Sequence, residues 1–213
     1  MTEQPVITAG VLIGGKSSRM GTDKAMLPWK GSTLLESVVN TARQVTDDCV
    51  LLGSAQRLPE ALIDMPRLPD AYPGIGPIAG LHALLSHRPD AWCLLLSCDI
   101  PDVTSQTIDV LVEHITPESR VVAYVTPSIS TRPTDSHPCD PPYRTNAHSS
   151  RIEPCCALYH SSVLRDVERA MATNRGSLSA LIESVPHATL PVNPDSQAAL
   201  HNINFPRDYN DSV

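Results

Sequence analysis

A chain of 213 residues, 41% hydrophobic and 18% charged, can bury a core of its own, which excludes wholesale disorder and a coiled coil. Its longest apolar run, Ala91 to Leu96, is far short of the roughly 20 residues of a membrane span, and the opening residues Met1 to Pro5 lack the cationic flank and apolar stretch of a secretory signal. A net charge of −7 argues against nucleic-acid binding by general basicity, so the expectation is a cytoplasmic α/β protein forming one domain over residues 1–213, with neither membrane nor nucleic acid as partner.

In chain order, Val6 to Ile13 reads as a first strand, β-branched and bounded by Gly14 and Gly15. Residues 14–31 hold four glycines and Pro28, too many breakers for a long helix. A helix starts near Ser32 or Thr33, where Thr33 and Glu36 form a capping box, and Leu34, Leu35, Val38, Val39, Ala42 and Val45 give its apolar stripe. Cys49 to Leu52 is a short buried strand, and a Pro- and Gly-dense stretch from Pro69 leads into a helix around Ile78 to Leu85. Ala91 to Leu96 has the continuous hydrophobicity of a central parallel strand and ends at Ser97-Cys98-Asp99. A helix carrying Ile108, Leu111, Val112 and Ile115 comes next, then a strand from Arg120 to Val125. Residues 126–150 contain five prolines and no glycine, the composition of a flexible insertion or lid. A strand at Cys155 to Tyr159, a helix through Val163 to Met171, a second helix from Ser177 and a last strand at Ala188 to Val192 complete the chain.

Strands alternating with helices predict a three-layer αβα sandwich around a mostly parallel, twisted sheet. Ligands in such sheets bind where the strands' carboxyl ends open into loops. The loop after the first strand and the loop after the central strand both lie at carboxyl ends, hence on one edge.

Positive charge is distributed unevenly. The chain has three lysines, Lys16, Lys24 and Lys30, all in one stretch with Arg19. Gathered beside glycines, they predict a local anion site in an acidic protein; a solvated basic loop is the plain alternative. The six cysteines show no C-x-x-C pair and no zinc spacing, and read as reduced thiols packed as small apolar residues.

Four segments carry chemistry. In Gly14 to Lys24, glycines let backbone N–H groups approach a polyanion, Arg19 offers a fork of donors to phosphate, and Lys24 adds a point charge. In Ser97-Cys98-Asp99-Ile100-Pro101, a carboxylate at the end of a buried strand can hold Mg²⁺. An N-cap role for Asp99 competes, but Thr104 and Ser105 are the better caps for the next helix. In the segment Asp70 to Gly80, glycines including Gly76 would let the chain run along a nucleotide, with Asp70 accepting hydrogen bonds; read alone it is an ordinary loop. His201 to Asp208 sets Asn202 and Asn204 on one side if extended.

Gly10 to Ser17 also matches the P-loop pattern G-x-x-x-x-G-K-[ST]. That pattern needs a flexible loop between its glycines and a helix directly after them. Here Val11, Leu12 and Ile13 continue a strand, and Gly21, Pro28 and Gly31 interrupt any helix after Lys16 and Ser17. The match is read as chance, with a P-loop NTPase kept as the alternative from another class.

Taken together, Leu12-Ile13-Gly14-Gly15-x-Ser17-x-Arg19-Met20-Gly21-x-Asp23-Lys24, Gly76-Pro77-Ile78-Ala79-Gly80, Cys98-Asp99-Ile100-Pro101 and Asn202-Ile203-Asn204-x-Pro206 resemble the molybdenum cofactor guanylyltransferase family, over 6–125 and 151–210. The resemblance implies a Rossmann-like nucleotidyltransferase that moves GMP from GTP to the terminal phosphate of molybdopterin and releases pyrophosphate. It implies that Leu12, Ile13, Gly14, Gly15, Gly21, Lys24, Asp70, Gly76 and Asp99 hold the nucleotide. Asp99 would bind Mg²⁺, Arg19, Lys24 and Asp99 would serve catalysis, and Asn202 and Asn204 would face the pterin. Partners beyond the two substrates would be cofactor-accepting enzymes, met transiently. Gly14 beside Gly15 is similar to the guanylyl branch, where cytidylyl relatives tend to carry alanine first; a cytidylyl or sugar-phosphate transferase is the alternative within the fold. Two departures stand out: Ile13 where the family usually has alanine, and the length of 126–150.

Overall fold

The computed structural model describes residues 5–13, 24–55, 57–69, 71–72, 74–127, 150–173 and 176–203. The β-branched run after Pro5 forms β1 (Ile7–Leu12), whose two neighbours are the next apolar runs, β4 (Cys49–Leu52) and β6 (Trp92–Ser97). Between β1 and β4 lie a two-residue hairpin, β2 (Pro28–Trp29) with β3 (Ser32–Thr33), and α1 (Leu34–Val45). Lys30 and Gly31 turn that hairpin with φ of 44° and 86°, the positive angles of a two-residue turn that matches strand twist. β5 (Arg67–Leu68), β7 (Val121–Pro127), β8 (Ser150–His160) and β9 (His187–Pro191) complete a seven-stranded sheet in the order β5-β4-β1-β6-β8-β7-β9.

Thr33 caps α1 with the reciprocal Glu36 bond that the sequence predicts, and Leu34, Leu35, Val38, Val39 and Ala42 are buried along its stripe. α1 and α3 (Ser105–Glu113) pack one face of the sheet through Ala9, Val11, Leu94 and Leu96. α2 (Pro77–His87), α4 (Leu164–Ala172) and α5 (Leu178–Glu183) pack the other through Leu12, Val50, Cys93 and Leu95. The alternating side chains of each strand thus feed two cores, giving the expected three layers. α6 (Pro194–Ala199) precedes the last described turn.

The strand expected at Cys155 to Tyr159 is longer and runs the other way. β8 is antiparallel to both β6 and β7, and among the described residues it is the one reversed strand in a sheet whose other pairings are parallel. Hydrophobic run length gives no direction to a strand buried on both faces. Thr126, Pro127 and Ser150 prove to be strand residues, with Pro127 opposite Ser150; the rest of the expected insertion lies outside the described residues. β5, the hairpin and α6 are too short to show a period, and sequence reasoning missed them. Cys49, Cys93 and Cys156 are buried free thiols, as expected. Burial pushes the Cys49 thiol up to about 11 and that of Cys93 to about 12, which keeps both neutral. Cys139 lies outside the described residues.

Gly10 sits mid-strand, paired with Val50 on one side and Leu95 on the other. A Cβ there would stand 2.6 Å from Leu52 Cδ1 and 2.7 Å from Leu84 Cδ2. Both leucines are fully buried, so neither has room to retreat. Gly10→Ala is expected to cost about 1–3 kcal/mol by overpacking, read as a lowered thermal midpoint. A third, small cluster joins Trp29, Leu34 and Ile203. Ile203 is 1% exposed, and Ile203→Ala is expected to cost about 2–4 kcal/mol. Hydrogen exchange in that variant should quicken first at residues 201–203; uniform quickening across the sheet would contradict a local role.

Candidate active site

Chain order reverses between β1 and β6. From β1 the chain winds outward through β4 to β5; from β6 it moves the other way, to β7, back to β8 between them and out to β9. Such a switch point opens a crevice at the carboxyl ends of the two central strands. Leu12 and Ser97 are partners across that pair, so the loops after them leave the sheet side by side. Leu12 and Ile13 are buried at the floor, and the Ile13 N–H donates to the Leu52 carbonyl at 3.1 Å.

Asp99 stands two residues beyond the end of β6. Thr104 caps α3 by accepting from the Thr107 N–H, so Asp99 is not the cap. Lys24 opens a short 3-10 turn, Lys24–Met26. A third segment ties the two. The Ile203 N–H donates to the Asp99 carbonyl at 2.8 Å, and the Lys24 Nζ donates to the Ile203 carbonyl at 2.8 Å. The backbone of one residue, Ile203, thus links Lys24 and Asp99, which sequence reasoning picked from two separate motifs, through a third.

Asn202 stands beside this link. Its side chain helps hold down the pKa of Glu153 on β8, a residue that sequence reasoning missed. The β6–β8 register pairs Leu96 with Cys156, and running it on brings Asp99 toward Glu153. Burial pushes the Glu153 carboxyl up, and the negative charge of Asp99 adds to that. Arg151, the Thr126 hydroxyl and Asn202 pull the other way without cancelling it. The sequence signal was faint: a charged residue just before an apolar strand, where reversal of that strand is what carries it to the crevice.

Gly76 precedes α2 with φ of +90°, in open space. Its glycine answers the backbone turn and not a close neighbour. Gly80, one turn into α2, is a packing glycine: a Cβ would lie 2.5 Å from Leu12 Cδ2. The start of α2 is therefore held against the carboxyl end of β1. Exposed Tyr72 and Ile75 lie on the loop before it.

The structure thus brings Leu12, Ile13, Lys24, Asp99 and Asn202 to one crevice edge, with Gly76 at the head of the helix packed beside it. Gly14, Gly15, Arg19, Gly21, Asp70 and Asn204 lie outside the described residues. The expected lysine cluster is divided. Lys30 pairs with Asp102 at 2.6 Å, and the same carboxylate accepts from the Trp29 indole at 3.2 Å; Lys30 pins the hairpin. Lys16 lies outside the described residues.

Among the described residues no three His, Cys, Asp or Glu side chains form a ready-made metal cage, and no helix is long and apolar enough to cross a membrane. A probable molybdenum cofactor guanylyltransferase of Flavobacterium johnsoniae is 23% identical over 205 residues, spanning 96% of this chain and 95% of that protein. Among solved structures, molybdopterin-guanine dinucleotide biosynthesis protein A from Archaeoglobus fulgidus superposes with a TM-score of 0.72 at 22% identity, with 96% of each chain covered. The 2-C-methyl-D-erythritol 4-phosphate cytidylyltransferase of Thermus thermophilus superposes with a TM-score of 0.70 at 15% identity, with 95% of each covered; at such identities what is shared is the fold. A family model described as a MobA-like NTP transferase domain matches residues 9–189. The chain belongs to this MobA-like family and is a nucleotidyltransferase.

Proposed function

We propose that this enzyme transfers GMP from GTP to the terminal phosphate of molybdopterin in the cytoplasm. A phosphate oxygen of molybdopterin forms the new bond to the α-phosphorus. The bond from that phosphorus to the bridging α–β oxygen breaks, and pyrophosphate leaves with the electron pair. The attacking phosphate is already ionised, so no general base is required; the work is positioning and charge neutralisation.

The observation that carries this reading is the convergence of Lys24, Asp99 and the Asn202–Ile203 segment on the switch-point crevice. In it, Leu12 and Ile13 at the floor take the nucleotide, a role shared with Gly14, Gly15 and Gly21 of the sequence motif. Asp70 and Gly76 contribute from the loop before α2. Lys24 and Arg19 meet the phosphates, and Asn202 and Asn204 meet the pterin.

The donor chemistry fits Mg²⁺. Asp99 offers a hard carboxylate oxygen at the carboxyl end of a buried strand, with the Glu153 carboxyl nearby. Mg²⁺ takes one or two carboxylates and completes its shell with phosphates and water. Held by Asp99, it would supply neutralisation of the charge that develops on the departing pyrophosphate.

Incubation of the protein with molybdopterin, Mg²⁺ and each of GTP, CTP and UTP, with the product identified by mass, tests the reading. Molybdopterin guanine dinucleotide is the expected product. A preference for CTP, or GTP hydrolysis without an acceptor, would overturn it. Lys24→Ala and Asp99→Ala should each lower the transfer rate about 10²–10³-fold, whereas Lys30→Ala should leave it within about twofold, as expected for an exposed pair.

A further inference from the structure

The segment after α6 lies outside any helix or strand, and the His201 N–H holds its start by donating to the Ala198 carbonyl at 3.2 Å. At Ile203 it is fixed twice more. The N–H goes to the Asp99 carbonyl and the carbonyl takes the Lys24 ammonium, each at 2.8 Å. These two groups sit on either side of one Cα, so the φ and ψ of Ile203 aim both. The side chain on that Cα is buried against Trp29 and Leu34.

The main chain of Lys24 is tied to the same cluster. The Leu27 N–H donates to the Lys24 carbonyl at 3.0 Å, the Leu34 N–H donates to the Leu27 carbonyl at 2.9 Å, and Ala25 and Trp29 are buried. A lysine held at its backbone and at its ammonium has already lost rotamer freedom that it would otherwise give up on meeting an anion. The kind of hold matters as well. Lys30 is placed by the Asp102 carboxylate, which meets its charge. A carbonyl oxygen accepts from an ammonium without cancelling its net charge, so the Ile203 carbonyl places Lys24 without neutralising it. The loop of Asp99 has further holds from α1. The Ser37 hydroxyl donates to the Pro101 carbonyl at 2.7 Å and the Thr41 hydroxyl to the Val103 carbonyl at 3.1 Å. Those holds stay when Ile203 is altered, so the alteration is read at Lys24.

We propose that Ile203 is a positioning residue for the nucleotide: the backbone carbonyl of the segment that carries Asn202 sets the Lys24 ammonium for the phosphates, so the acceptor-side segment builds part of the nucleotide site. This inference rests on the proposed function, in which Lys24 meets the phosphates and Asn202 the pterin. Ile203 acts through Lys24 and not by contact with a substrate. A role confined to the acceptor would leave nucleotide binding untouched, and a role in stability alone would add to the effect of losing Lys24.

The test is a double-mutant cycle on the purified full-length protein, read as the Kd of GTP with Mg²⁺ by calorimetry, with no acceptor present. Lys24→Ala should weaken binding about tenfold or more, as for loss of a hydrogen bond to a charged group. Ile203→Ala should weaken it about threefold or more through misplacement of the ammonium, without exceeding the Lys24→Ala effect. In the Lys24→Ala background Ile203→Ala should change the Kd by no more than about twofold, because its target is gone. Val167→Ala, which opens the buried core beneath α4, controls for lost stability and should leave the Kd within about twofold. If Ile203→Ala shows no cooperative melting transition, Ile203→Met, which keeps most of the buried volume and loses the β-branch, takes its place under the same thresholds. An unchanged Kd, additivity with Lys24→Ala, or an equal loss in Val167→Ala overturns the inference; with dinucleotide still formed from GTP and molybdopterin, the proposed function stands. A wild type that binds GTP and responds as expected but makes no dinucleotide overturns the proposed function alone, and one that binds no GTP overturns both.

Discussion

The backbone of Ile203 is the joint on which the crevice depends. A backbone group has one donor and two acceptor lone pairs on its carbonyl, and here the N–H goes to the Asp99 carbonyl while the oxygen takes the Lys24 ammonium. Its direction is set by something cruder, burial of the Ile203 side chain against Trp29 and Leu34. Trp29 in turn is tethered through its indole N–H to Asp102, three residues beyond Asp99. The contacts close into a ring: hairpin, β6 loop, carboxy-terminal segment and back to the hairpin. A hydrophobic contact thereby positions two charged residues that lie far apart in sequence, which long flexible side chains cannot do for themselves.

Reversal of a single strand supplies what the parallel strands cannot. Parallel strands bring only their carboxyl ends to the ligand edge. β8, antiparallel to β6, brings its amino-terminal half there instead, and with it Arg151, Glu153 and a bulge. The same reversal sets the ends of β7 and β8 side by side. Pro127 and Ser150 face each other at that end of β7 and β8. The pull of Asp99, Arg151, Thr126 and Asn202 on one carboxyl group shows how closely strands and loops converge there.

Legibility in the sequence tracked the range of the interaction concerned. Elements held by local signals were readable: the Thr33–Glu36 box and apolar stripe of α1, the buried run of β6, the Thr104 cap of α3. So was the shared edge at which β1 and β6 end, because strand direction in a parallel sheet dictates it. What resisted reading depended on partners distant in sequence. The direction of β8 is decided by its neighbours, and Glu153 becomes a site residue only through that direction. Lys30 looked like part of a cationic cradle, and only the approach of Asp102 assigns it to the hairpin. Gly80 and Gly76 looked alike as letters, yet one makes room for Leu12 and the other answers a turn.

Gly10 shows how one residue type supports two opposite readings. In a P-loop the first glycine frees a backbone that must wrap a phosphate chain. In β1 the missing side chain makes room for something else, the closely packed ends of Leu52 and Leu84. Both uses require a bare backbone, so the pattern of glycines cannot separate them. The residues between the glycines can. Val11 and Leu12 are strand residues hydrogen-bonded on both sides, and a backbone whose amides serve two neighbouring strands has none left to offer a phosphate at that point. Backbone free to meet a ligand therefore begins after β1 ends, and Lys24, tied to the β6 loop through Ile203, is reached only after the chain has left the sheet.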